Sequence, residues 1–360
     1  MRNELLLLLA ILLLAVGIIL SQSSKRPQSQ DKRGGESKTL TVTVTTSSVW
    51  DRSKPLKEVD ISNKPSIRNR EITVYFEPQQ RQLAYQVSQA LSKGWQLVAK
   101  RLGIALGTFQ VALIALSKAD RAELGGVYIK QQVQVQQPLE RLFQQPPESP
   151  QPPFPLVVPP NLRSLKEADI KVRGDVYITM PHEALHGMVN KALKNSLDRG
   201  WRFDPQTRGL EEGLAEYVGY IIAQHLDPET CRWHLERRSR DIEDVLRDRE
   251  HPIYDVTQEF LSHIELRLGK ESQQPSSQGP TPVELAGYGV SLAFWLQIAQ
   301  QHGEGVIKEF WQRLSQKGFP NAQEAARILS ELTGEDIWTK LQKMDLREVL
   351  QTLERAAGAP

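Results

Sequence analysis

Residues 182–186 read His-Glu-Ala-Leu-His, a pair of imidazoles four positions apart with a carboxylate between them. On a helix such residues stand about 40° from each other around the axis and one turn apart. Both imidazoles can then reach one metal ion, and the carboxylate of Glu183 stands beside the open side of that ion. The chain has only seven histidines, and two of them fall in this pentad. A divalent metal, a spare coordination position and a nearby carboxylate are the parts of metal-assisted hydrolysis, in which the carboxylate carries a proton.

The flanking residues suit a helix. Thr179 is placed as an N-cap, Pro181 falls in the first turn, and Glu183 complements the positive end of the helix. Leu185, Val189, Ala192, Leu193 and Leu197 recur at helical spacing, and Asp198-Arg199-Gly200 supplies a stop. A second stretch, Gly209-Leu-Glu-Glu-Gly-Leu-Ala-Glu-Tyr217, puts Glu212, Ala215, Glu216 and Gly219 on one helical face. Leu214, Val218, Ile221 and Ile222 make the apolar face. Very small residues around the carboxylates let another helix come close, so Glu212 can reach a metal held by the histidine helix.

With both stretches in view, the chain resembles the gluzincin metallopeptidases, in which HExxH is followed by a second helix reading roughly E-G-x-A-x-Y or N-E-x-x-x-D. The resemblance implies one zinc ion held by His182, His186 and Glu212, with Glu183 as general base and acid. Glu216, one turn after Glu212, matches the carboxylate that orients a ligand histidine in that family. Tyr288, opening the Tyr288–Leu296 segment, is the family-like candidate for stabilising a tetrahedral oxyanion, with a packed core tyrosine as the other reading. Residues 187–211 separate the two motifs, a longer gap than in the best-known gluzincins. That leaves Glu211 as a rival to Glu212, although a first-turn glutamate is ordinarily solvated. A peptide or protein substrate follows by analogy. The alternative from another class is a membrane-tethered scaffold that keeps the zincin-like fold without turnover.

The wider composition narrows the partners. The 360 residues carry 45 basic and 43 acidic side chains, a net charge of +2, with no basic stripe interleaved with aromatics, so nucleic acid is not expected. Cys231 is alone, which excludes an intrachain disulfide and makes a buried, idle thiol the expectation. Leu5 to Leu20 is an unbroken apolar run. It reads as an uncleaved N-terminal membrane anchor with the rest outside the cytoplasm, or else as a cleaved signal peptide. Basic residues after the run favour the opposite, cytoplasmic orientation.

The elements that must carry these residues follow in order. Residues 1–20 are the anchor or signal and 21–38 a polar tether. Residues 39–200 are the part containing the sheet and the HExxH helix, with a Pro/Gln-rich insertion at 131–160. Residues 201–360 are mostly helical. Strands are expected at Leu40–Thr45, Ile72–Phe76, Phe109–Leu116, Gly125–Ile129 and, as an edge, Phe154–Val158. Leu83, Val87, Leu91, Val98 and Leu102 mark an amphipathic helix that starts near Pro78 and stops at Gly103. Later helices run over Thr230–Leu246, whose charges read as a solvated face, and from Tyr288 onward, with Thr333 and Asp345 as caps. The fold class is α+β. By resemblance it is zincin-like, a mixed sheet lobe with the active-site helix and a helical C-terminal lobe.

Overall fold

The computed structural model describes residues 41–46, 57–60, 63–116, 127–130, 153–193, 205–247, 282–318 and 322–358. The apolar run at Leu5–Leu20, the tether, most of the 131–160 insertion and the stop at Asp198–Gly200 lie outside them. Among the described residues no helix is long and apolar enough to cross a membrane.

The fold is mixed α+β and mostly helical. Strands β1 (Thr41–Thr46), β2 (Lys57–Asp60) and β6 (Val127–Lys130) pair in the order β2-β1-β6, antiparallel throughout. Strands β3 (Ser66–Asn69), β4 (Ile72–Tyr75), β5 (Phe109–Ala115) and β7 (Phe154–Val158) make a second sheet in the order β3-β4-β5-β7. There β3 is antiparallel to β4, while β4, β5 and β7 are parallel. β5 lies inside this sheet, and its apolar run Phe109–Ala115 is buried along most of its length, as a strand covered on both faces must be. β7 takes the end position expected for it; β2 and β3 are short and carry too few residues for a periodic signal.

Helix α1 (Arg81–Leu102) crosses this sheet and sets Leu83, Val87, Leu91, Val98 and Leu102 against it, all essentially without solvent contact. Gly103 ends the helix at φ 68°, the left-handed cap that a residue without Cβ adopts at no steric cost. The expected helix thus stands, preceded by a 3-10 turn at Pro78–Gln80.

Helix α2 differs from expectation at its start. It begins at Ile170, where the Asp169 carboxylate accepts from the Val172 N–H at 2.9 Å, and runs over Ile170–Gly174. A π turn at Asp175–Thr179 follows, and the helix resumes over Met180–Leu193. Thr179 is therefore not an N-cap; its hydroxyl donates to Asp175 Oδ1 one turn back, at 3.3 Å. The wide turn lies just before Pro181, which has no N–H to give and whose ring would meet the carbonyl of residue 177 in a regular helix.

Helix α3 (Pro205–Leu226) carries the second motif and is the centre of the molecule, packed against α1, α2 and the later helices. Every residue from Gly209 to Ala223 is buried, so the helix has no solvated face over that stretch. Two glycines permit its close contacts. A Cβ on Gly213 would stand 2.5 Å from the Ser291 carbonyl oxygen, and one on Gly219 would stand 2.9 Å from the Ile178 carbonyl oxygen in the π turn. Tyr217 donates to Glu304 Oε1 at 3.0 Å, and Arg101 pairs with the same carboxylate, tying α3 to its neighbours.

Helices α4 (Pro228–Arg247), α5 (Pro282–His302), α6 (Glu304–Gln316), α7 (Ala322–Thr333), α8 (Ile337–Gln342) and α9 (Leu346–Gly358) complete the chain. Thr333 is the last residue of α7 rather than a cap. Its hydroxyl bonds back to the Leu329 carbonyl, and Asp336 caps α8 instead by accepting from the Thr339 N–H. Asp345 does serve the start of α9, where its carboxylate accepts from the Arg347 N–H at 2.7 Å. Sheet and helices share one hydrophobic core, from Ile72 and Val111 through Leu185 and Val218 to Trp295 and Leu353.

Candidate metal centre

The π turn and the glycine face bring α2 and α3 together, and the polar atoms of both converge at one place. His182 Nε2 and His186 Nε2 are 3.0 Å apart, and Glu212 Oε2 is 3.1 Å from each. A triangle of that size has a point about 2 Å from all three atoms, the distance zinc takes to nitrogen and oxygen. His182 and Glu212 are almost fully buried, and His186 is partly exposed. These three residues could together hold a metal ion.

The outer nitrogens decide whether the inner ones can act as ligands. An imidazole offers its Nε2 lone pair only when the proton sits on Nδ1, so an acceptor facing Nδ1 fixes the useful tautomer. For His186 that acceptor is Glu211, whose Oε1 stands 2.7 Å from Nδ1. Glu211 is thus not a solvated first-turn residue; its carboxylate faces the outer nitrogen of His186. α3 begins at Pro205, so position 211 is already inside the buried helix.

For His182 the facing carboxylate is Glu216, as expected, but at 3.3 Å and out of line, so Nδ1 has no aligned acceptor. Both Glu216 oxygens are engaged elsewhere. Arg238 donates from Nη2 to Oε1 at 2.8 Å and from Nε to Oε2 at 3.1 Å, and His234 Nε2 reaches Oε2 at 2.8 Å.

Burial alone would make these histidines easy to deprotonate and these carboxylates easy to protonate; the opposite holds. Desolvation opposes the charge on His182, yet Glu212 and Glu216 raise it to about 9. His186 is lifted well above the usual imidazole range against its own burial by Glu212 and Glu211. Desolvation likewise pushes against the Glu212 charge, but His186 and His182 hold it well below the usual carboxylate range. Carboxylates outnumber cations in this buried set, so the site draws positive charge, supplied by protons or by a divalent ion.

Glu183 projects from α2 between the two histidines and is exposed. Tyr288, on α5, lies with its ring 6.2 Å from the His182 ring and 4.9 Å from the Arg238 guanidinium carbon. The structure therefore brings together His182, His186, Glu212, Glu216 and Tyr288.

Sequence reading has Glu211 only as a rival to Glu212, not as a partner of His186, and assigns no role in the site to His234 or Arg238. His234 and Arg238 are not on a solvated face. They fall on the buried stripe of α4 with Cys231, Leu235, Ile242 and Val245, and that coincidence with an apolar stripe was the available signal. Cys231 is buried as expected, and burial pushes its thiol up to about 12, with Asp227 adding to the shift, so it stays protonated and unreactive. Compared with known proteins, the chain matches no family and no curated protein.

Proposed function

We propose that this chain is a zinc-dependent hydrolase of peptide bonds with a zincin-like arrangement of its metal-bearing helices. The observation that carries the proposal is the convergence of two imidazole nitrogens and one carboxylate oxygen within 3.1 Å of one another, with Glu211 Oε1 facing the outer nitrogen of the His186 ring at 2.7 Å. Two neutral imidazoles and a carboxylate are the donor set of open, four-coordinate zinc sites. A zinc ion held there supplies Lewis acidity to a carbonyl oxygen and to a water molecule.

The protein's own groups do the rest. His182, His186 and Glu212 would hold the ion, and His186 is the partly exposed member of the three. Glu183, exposed and outside the ligand set, takes the proton of the attacking water and passes it to the departing amine. The Tyr288 hydroxyl is the candidate donor to the developing negative oxygen. A peptide substrate rests on the resemblance of HExxH and E-G-x-A-x-Y to gluzincins. So does the proposal that Leu5–Leu20 tethers the enzyme to a membrane with its hydrolytic part outside the cytoplasm.

Elemental analysis of the purified chain, paired with hydrolysis of an unstructured protein substrate by wild type and Glu183→Gln, tests the proposal. The expectation is one zinc per chain in both proteins, with chelator-sensitive hydrolysis in the wild type alone. Full activity in Glu183→Gln, or a wild type that takes up no metal, refutes it.

A further inference from the structure

We infer that Arg238, backed by His234, is a positioning residue of the metal centre: it sets His182 through Glu216 and sets Tyr288 through its ring. The inference rests on the metal centre proposed above and adds α4 to it.

Glu216 stands on α3 one turn beyond Glu212 and reaches toward His182 from the far side. A carboxylate on a three-bond side chain can rotate, and its use as a partner for a ligand histidine depends on stopping that rotation. The Arg238 fork stops it. Two donors from one rigid guanidinium, at 2.8 and 3.1 Å, fix the carboxylate plane, and His234 Nε2 at 2.8 Å adds a third contact. Burial holds the His234 imidazole below its ordinary range, against the pull of Glu216. Asp241 Oδ2, 3.3 Å from Arg238 Nη1, holds the outer edge of the guanidinium.

The same guanidinium lies 4.9 Å from the centre of the Tyr288 ring, which also stands 6.2 Å from the His182 ring. A cation against an aromatic face favours that placement of the ring. Packing alone does not call for this set. His234, Arg238 and Glu216 are each at most 7% exposed, and apolar side chains of equal volume would fill the space without desolvating charges. Two fixed objects, a ligand histidine and a tyrosine beside it, share one buried cation.

The test compares wild type, Arg238→Met, Arg238→Lys, Glu216→Gln and the double variant Arg238→Met/Glu216→Gln. Zinc affinity is read by competition with a chromogenic chelator, and the ligand field from the visible d–d bands of the Co(II)-loaded proteins. Arg238→Met is expected to weaken zinc by about tenfold or more, within the range for losing an outer partner of a ligand, and to shift the Co(II) bands. Arg238→Lys keeps the charge without the fork, and it is expected to change both readouts in the same direction; it carries the test where Arg238→Met does not fold. In the Glu216→Gln background the Arg238→Met change should shrink to about twofold or less, because the group through which it acts is already altered.

A residue that merely stabilises the fold would lower the unfolding midpoint and leave the Co(II) bands in place. Wild-type bands and affinity in the folded Arg238 variants, or effects of Arg238→Met and Glu216→Gln that multiply independently, overturn the positioning role. A wild type that binds neither zinc nor cobalt overturns the metal centre and this inference together, and is recognised from the wild type alone.

Discussion

Replacing Glu211 by Gln separates the role the structure gives this residue from the one its sequence position suggests. The side chain keeps its size and one acceptor oxygen but loses its charge. In the wild type Oε1 stands 2.7 Å from His186 Nδ1, within the range of charge-assisted bonds. Such a bond contributes about 1.5–3 kcal/mol and a neutral one about 1 kcal/mol, so the substitution removes about 1–2 kcal/mol from the support of a ligating tautomer. At 1.4 kcal/mol per decade that is about a tenfold loss of zinc affinity. An amide can also turn its NH₂ toward Nδ1, which would move the ring proton to Nε2 and into the site, so the loss can exceed that figure. Glu212→Gln removes a ligand rather than its support and should weaken zinc further still. Chelator competition at constant neutral pH measures all three proteins. A Glu211→Gln protein binding zinc within about twofold of wild type would refute the argument and return Glu211 to the dispensable status its sequence position implies.

Further expectations follow from packing and burial. Gly213→Ala gains about 1 kcal/mol of helix propensity, but its Cβ would meet the Ser291 carbonyl oxygen at 2.5 Å and Trp295 Cδ1 at 2.7 Å. Overpacking of about 1–3 kcal/mol should win, lowering the urea midpoint, and zinc affinity should fall because Glu212 is the adjacent residue. Burial raises the Asp175 carboxyl to about 6. The native state therefore binds more protons than the unfolded chain between about pH 4 and pH 6, and this group's contribution falls as pH rises through that window. The loss is at most about 3 kcal/mol above it. Asp175→Asn should remove it, so urea midpoints of variant and wild type, compared at about pH 5 and about pH 7.5, should diverge in favour of the variant at the higher pH. Parallel midpoints would remove Asp175 as a source of pH dependence.

Much of the architecture was legible because burial leaves a period. Leu83 to Leu102 read as one helix because its buried face repeats at helical spacing and Gly103 ends it. Phe109–Ala115 read as a strand because a strand buried on both faces has no polar alternation to show. The start of α2 was not legible. Thr179-Met180-Pro181 has the composition of a cap followed by a first-turn proline, and the same composition fits a proline just beyond a π turn. Local chemistry does not separate the two, and only the run from Ile170 onward, packed against α3 and α4, decides for the longer helix.

The residues of the two motifs that converge were visible in the sequence, whereas their surroundings were misread by a single assumption, that a charged residue on a helix faces water. α3 shows why that assumption fails here. Between Gly209 and Ala223 its other residues are almost all glycine, alanine, leucine, isoleucine, valine and tyrosine, the composition of a helix enclosed on every side. Glutamates at 211, 212 and 216 in such a helix have no solvent to face, so each must find a cation or a polar partner inside the protein. Glu211 meets His186, Glu212 meets both histidines, and Glu216 meets Arg238 and His234. The same reasoning applied to α4 withdraws Arg238 from the solvated face, since it shares a stripe with His234, Leu235 and Ile242. An enclosed helix that keeps three acids is stable only if its neighbours bring positive charge to meet them. In this chain those neighbours supply two imidazoles from α2 and a guanidinium and an imidazole from α4, and α2 and α3 together bring three residues that could hold a divalent ion.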